Sequence, residues 1–344
     1  MGDKSTSEKA QVTWNPAERL GMPFHRREPR RIIVSHPGDL FHESVSDGFI
    51  AQVWNVMGQC PHHIFQIATQ HPERMRSWVK RWADTAADHS VPMVGGLPPM
   101  PRGPQAMRAT YSSGRAQLFA AMLDQMGEPP EGCAFPTYDW MEGQRWWPGV
   151  LPNVWLGASV QDQRSADTRI PVLLDTPAAI RWISAEPLLG PLRLSAAWID
   201  IPAGFRPVTT ADILGIGLPN RLDWVVAGGQ TGPDARPMHP DWARSLRDQC
   251  QAAGVAFRFE QWGEWEPIGP LYGDDEETDD AHMEAVAIEV HENRRVIQLE
   301  SSGYIAEGHQ PTDARTWLMA QVGARRAGRL LDGHLWDQYP AGVS

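Results

Sequence analysis

The sequence predicts an α/β protein, a parallel (βα) barrel or partial barrel of about six to seven strands with an inserted lid and a small C-terminal appendage. Three observations predict it. Short apolar runs of strand length recur along the chain, each run closes in a polar loop, and most of the loops lead into a helix-patterned segment. The fullest copy is Leu222–Trp265, LDWVVAGGQTGPDARPMHPDWARSLRDQCQAAGVAFRFEQWGEW. There Leu222–Ala227 reads as a buried strand closed by Gly228-Gly229. Pro240 and Asp241 then open a helix whose apolar stripe is Trp242, Leu246 and Cys250. Gly254 stops that helix, and Val255–Phe259 starts the next strand. A strand, a crossover helix and a strand in this span form the βαβ unit of a parallel sheet, whose sites lie where the strands end.

The other elements follow the same rule. Met1–Gln11 is polar and reads as disordered, and Val12–Pro16 (VTWNP) is a short extended piece able to supply a seventh strand. Arg31–Ser35 (RIIVS) and His63–Thr69 (HIFQIAT) read as strands, with an amphipathic helix over Asp47–Met57 between them. A helix led by Gln70-His71-Pro72-Glu73 runs to about Ala87. Residues 90–149, rich in Pro, Gly and Met, read as an inserted lid. Pro152–Val160 and Ile180–Ala185 are further strands, separated by a helix near Ser165–Leu174, and Ala196–Asn220 looks irregular. The barrel thus spans 12–265. An appendage over 266–344 comprises an acidic loop, a hairpin of Ala285–Val290 with Arg295–Leu299, a helix near Thr312–Val322 and a tail, GRLLDGHLWDQYP.

Composition limits the function classes. The chain has 344 residues and carries 42 acids against 31 bases, for a net charge of −11, much of it concentrated in Gly273–Glu284. No apolar run reaches the ~18 residues of a membrane span, and no signal-peptide core opens the chain, so the reading is cytoplasmic, with no membrane partner. Cys60, Cys133 and Cys250 are far apart, which excludes a local zinc or iron–sulfur motif and fits a reducing compartment. The basic run Phe24–Arg31 is either a solvated approach to a strand or, through Arg26, Arg27 and Arg30, a nucleic-acid phosphate contact.

Five constellations carry candidate chemistry. His36, Asp39, His42 and Glu43 have the three- and four-residue spacing of a divalent-metal set, although Asp39 also reads as a helix N-cap. Ser159, Gln161 and Asp162 at a strand end suit a ribose or other polyol, with Asp162 equally a cap for the helix that follows. Glu186, after Ser184 at the end of an apolar strand, is costly if buried unpaired and so faces the barrel mouth or an arginine. Gly228, Gly229, Gln230 and Thr231 let the backbone approach a ligand closely, and Glu260 with Trp262 stands beside them. Glu186, Glu260 and Gln230 are therefore the candidate catalytic residues. Ser159, Asp162, Gly228, Gly229, Thr231 and Trp262 are the candidate cofactor-binding residues.

The segments DLFHE (39–43), HPERM (71–75), NVWLGASVQDQ (153–163), ISAEPLLGPL (183–192), residues 223–250 and QWGEW (261–265) carry a resemblance. They look like a family of phage-borne and bacterial proteins of uncharacterised function, with an N-terminal three-cysteine motif and a likeness to radical S-adenosylmethionine enzymes. The resemblance implies a radical-enzyme-like barrel and S-adenosylmethionine binding. This chain departs from the pattern where chemistry matters. Trp14-Asn15-Pro16 runs straight into AERLGMPF, without the cysteine loop expected to hold a four-iron–four-sulfur cluster. Gln230 stands where the family usually has an acid, Glu260 where it has a lysine, and Gln70-His71 where it has a Lys-Arg pair. The departure implies that no iron–sulfur cluster is held. The leading expectation is a protein that binds S-adenosylmethionine or a nucleotide at the strand C-termini without radical chemistry. Alternatives are a non-catalytic interaction or regulatory protein and a metal-dependent enzyme using the 36–43 group.

Overall fold

The computed structural model describes residues 20–34, 38–87, 150–151, 153–199, 221–271, 294–306, 313 and 315–340. Six strands, β1 (Arg31–Ile33), β2 (Ile64–Thr69), β3 (Val154–Ser159), β4 (Ile180–Ala185), β5 (Trp224–Gly228) and β6 (Ala256–Gln261), form one parallel sheet in sequence order. Between them run α1 (Asp47–Gln59), α2 (Pro72–Ala87), α3 (Gln163–Leu174), α4 (Ala196–Ile199) and α5 (Pro240–Ala253). This is an α/β partial barrel, as the alternation predicts. Val12–Pro16 and the 90–149 insertion lie outside the described residues.

Side-chain alternation separates the two faces of the sheet. Phe65, Ile67, Leu156, Ile183, Val225 and Phe257 point outward into the main core, against Trp54 and Met57 of α1, Met75 and Val79 of α2, and Leu246 and Cys250 of α5. The opposite, concave face carries Trp155, Trp182, Trp224 and Val226, all nearly buried. These indoles pack on one another, with ring centroids 5.6 Å apart for Trp155–Trp224 and 5.2 Å for Trp182–Trp224. Gly157 makes that layer possible. A Cβ there would lie 2.6 Å from the Trp182 ring, which crosses β3 at this point. The concave face of the barrel is therefore floored by packed tryptophans.

Tyr339 shows how far the sheet curls. Its ring lies 3.9 Å from the Arg31 guanidinium carbon and 5.5 Å from that of Arg258. Arg31 is on β1 and Arg258 on β6, the two outermost strands, so one ring meets both only if the sheet is strongly curved. The chain around Tyr339 runs antiparallel along β6. Phe259 N–H donates to Trp336 O at 2.8 Å and Gln338 N–H to Phe257 O at 3.2 Å.

The appendage is a three-stranded antiparallel sheet of β7 (Trp265–Pro270), β8 (Val296–Leu299) and β9 (Trp317–Gln321), ordered β7-β9-β8. After it come α6 (Ala324–Ala327) and a hairpin of β10 (Leu330–Leu331) and β11 (His334–Leu335). Two expectations are corrected here. The stretch expected as a helix near Thr312–Val322 is strand β9. Its run Leu318-Met319-Ala320 is buried on both sides because β7 and β8 flank it, a context that local periodicity does not carry. Strand β8 is confirmed but pairs with β9, and its expected partner, residues 285–290, lies outside the described residues. Ala196–Ile199, expected to be irregular, makes one helical turn, and 200–220 lie outside the described residues. No described helix is long and apolar enough to cross a membrane.

Candidate ligand site at the mouth of the half-barrel

Alternation along β4 places Ser184 and Glu186 above Trp182 on the concave face, and along β6 it places Arg258 and Glu260 above Ala256. The four residues meet at the C-terminal mouth. Ser184 Oγ donates to Glu186 Oε2 at 3.2 Å, and Arg258 Nε donates to Glu260 Oε2 at 2.6 Å. Glu186 lies over Gly228, where a Cβ would approach its Oε1 to 3.0 Å. Although its side chain keeps some solvent contact, it sits deep among the strand ends. Burial, reinforced by the negative charge of Glu260, pushes its pKa up to about 7, against the opposing Ser184 hydrogen bond and Arg258 charge. A carboxyl poised there exchanges its proton at neutral pH. For Arg258 burial works against the charge, yet Glu260, Tyr339 and Asp337 outweigh it and raise its pKa.

The two glycines of the β5 loop are explained by the chain itself. Gly228 leaves room for Glu186, and a Cβ on Gly229 would collide with the Trp262 carbonyl. Gly229 N–H also donates to Gln261 O at 2.8 Å, so the ends of β5 and β6 are locked together. Gln230 is taken up by its own loop: its Oε1 accepts from Arg236 N–H at 3.2 Å and Arg236 Nε at 3.1 Å. Thr231 is exposed on the same loop. Trp262 is 5% exposed, packs edge-on against Phe259, and donates from Nε1 to Leu330 O at 2.8 Å. It ties the barrel to the appendage, and its ring is not free for stacking.

Ser159 pairs in register with Ser184 across β3 and β4, and its carbonyl accepts from Arg169 Nη1 at 2.5 Å. Asp162 is the N-cap of α3, in a capping box with Ser165, whose N–H donates to Asp162 Oδ1 at 2.8 Å. Those bonds, backbone first and hydroxyl second, hold its pKa below the usual carboxylate value. Of the sequence-level candidates, Glu186, Glu260, Gly228 and Ser159 thus line the mouth. Asp162, Gln230 and Trp262 are committed to capping and loop packing.

Of the 36–43 group, Asp39, His42 and Glu43 fall within the described residues. His36 lies outside the described residues. Asp39 accepts from Thr69 Oγ1 at 2.7 Å and from the N–H groups of Gln70 and Phe41 at 2.8 and 2.9 Å. It pins the end of β2 to the loop, and the N-cap of α1 is Ser46, not Asp39. His42 bonds Ser44 Oγ at 2.8 Å and Glu43 is exposed. Among the described residues, no group of three or more His, Cys, Asp or Glu is placed to hold a metal ion.

Two residues that shape the site, one at the mouth and one beneath it, were missed by sequence reasoning. Arg258 was readable from the alternation of AFRFEQ, which puts it on the Glu260 face. Tyr339 carries no local signal, because its partner Arg258 is 81 residues away.

A family model described as a protein of unknown function, DUF5131, matches residues 2–340. The chain belongs to this family. No curated protein and no solved structure matches it. The uncharacterised family that the sequence motifs point to is thereby established at the level of the DUF5131 family, with no activity attached.

Proposed function

We propose that this DUF5131 protein binds a small cationic ligand at the mouth of its half-barrel, and that the ligand is S-adenosylmethionine used without radical chemistry. The observation that carries the reading is the charge balance of the mouth. Glu186 and Glu260 converge there, and the nearby guanidinium, Arg258, is already shared between Glu260 and Asp337. A surplus carboxyl among the strand ends favours a sulfonium or ammonium and repels phosphate, which disfavours a nucleotide. The Ser159 and Ser184 hydroxyls beside it suit a ribose.

The described cysteines do not fit a cluster. Cys60 follows α1 and Cys250 lies on α5, both buried in the outer core, and burial pushes their thiols up to about 11 and about 12. A cluster needs thiolates at the mouth, and these two are neither there nor readily ionised.

The reading is tested by thermal shift with S-adenosylmethionine, S-adenosylhomocysteine and ATP. A ligand at a hundred times its dissociation constant stabilises by about 2.7 kcal/mol, a shift of several degrees. The expected order is S-adenosylmethionine above S-adenosylhomocysteine, with ATP silent, and loss of the shift in Glu186→Gln. A shift with ATP that survives Glu186→Gln would overturn the reading.

A further inference from the structure

The guanidinium of Arg258 is held from two directions. Its Nε reaches up to Glu260 at 2.6 Å. Its Nη1 reaches down, to Asp337 Oδ1 at 3.4 Å and to the hydroxyl of Tyr339. Both lower partners belong to the C-terminal tail. Tyr339 is itself fixed on three sides, by the Arg31 guanidinium, by Arg258, and by Trp224 at 5.2 Å between ring centroids. Trp224 Nε1 adds a bond to Gln338 O at 2.9 Å. Its ring packs against the tryptophan cluster of the barrel floor, while its hydroxyl is turned to Arg258.

This arrangement has an electrostatic consequence. A guanidinium within reach of two carboxyls lowers the energy by bridging both. Here its lower nitrogen is occupied by the tail, and the hydrogen bond that Glu186 receives comes from Ser184. Glu186 is left as the less compensated member of the pair.

We propose that Tyr339 is a positioning residue of the ligand site: the tail anchors Arg258 at the floor, so that Arg258 holds Glu260 and leaves the Glu186 carboxyl for the ligand. The proposal rests on the ligand reading above. It adds that the C-terminal segment, remote in sequence from every strand of the parallel sheet, helps to set the charge of the mouth. Among the described residues, the charged groups acting on Glu186 are Glu260 and Arg258, both from β6. Those facing Arg258 are Glu260, Asp337 and Tyr339, with Arg31 beyond the tyrosine ring and Arg329 3.3 Å from Asp337.

The test is a carboxyl-carbon NMR titration of the ligand-free, full-length protein, with Glu186 assigned by Glu186→Gln. Tyr339→Phe keeps the ring and its stacking and removes only the hydroxyl. Its melting temperature is expected to stay near that of the unmodified protein. Its Glu186 midpoint is expected to fall by about half a pH unit or more, because the guanidinium, then held from below by Asp337 alone, turns more readily toward Glu186. Asp337→Asn releases the other anchor, should move the midpoint the same way, and keeps the test decisive if the tyrosine variant folds poorly. A folded variant with an unchanged or raised midpoint overturns the proposal, and leaves Tyr339 a packing residue. No ligand is used, so this outcome is separate from failure of the ligand reading, which shows as no thermal shift with S-adenosylmethionine.

Discussion

Glu186 makes the stability of this protein depend on pH in a direction opposite to that of a salt-bridged acid. Its folded-state pKa, about 7, lies above the ordinary value of 4.5, so the native state holds the proton more tightly than the unfolded chain. The stability linked to that proton is fully present below pH 4.5 and is lost as pH rises through 7. Glu186→Gln, which mimics the protonated form, is therefore expected to match the unmodified protein at pH 4. At pH 8 it should exceed it by up to roughly 3 kcal/mol, on denaturant unfolding curves taken at both values. Equal stabilities at pH 8 would show that Glu186 is not destabilised by its setting. Asp162 behaves in the opposite manner. It caps α3, so Asp162→Ala should cost about 1 kcal/mol of stability and leave the ligand-induced thermal shift unchanged, which separates a cap from a ligand contact. At Gly157 the ring of Trp182 occupies the place of a side chain. Gly157→Ala is expected to lose about 1–3 kcal/mol through overpacking, measured by chemical denaturation.

At the scale of elements, the parallel strands were legible because each is a short apolar run bounded by polar turns, and burial on both faces of a parallel sheet requires that pattern. Val154–Ser159, Ile180–Ala185 and Trp224–Gly228 all read this way. The carboxyls of the mouth were legible for the same reason, since Glu186 interrupts an apolar strand end and Glu260 closes another. Strand β9 was misread because Trp317–Gln321 has no alternation of its own. Its neighbours in the appendage sheet decide its state, and they lie far off in sequence. The roles of Asp39 and Gln230 were hidden likewise, as Asp39 is claimed by Thr69 from across the sheet and Gln230 by the arginine of its own loop. Polar residues at strand ends are visible in a sequence. Which of them is already satisfied by the chain is a tertiary fact.

For the whole molecule, closure is the organising feature. The six-stranded sheet curls until one tyrosine from the tail meets both outermost strands, and a layer of tryptophans fills the floor. The strand C-termini carry an acid pair and two serines. At the opposite pole Arg26, Arg27 and Arg30 are exposed, with Arg30 3.8 Å from Glu28. If that pole meets nucleic acid, binding should weaken with salt, and neutralising the three arginines should flatten the salt dependence; no binding at low salt would exclude it. The central claim concerns the mouth, and calorimetric titration of S-adenosylmethionine between pH 6 and 8.5 tests it most directly. A cation binds the ionised carboxyl in preference to the protonated one, so affinity should rise with pH through about 7 and level off above it. The neutral thioether S-adenosylhomocysteine should show a flatter profile, and Glu186→Gln should remove the rise. An affinity for S-adenosylmethionine that is independent of pH, or that falls as pH increases, would contradict the assignment of Glu186 as the ligand-facing acid.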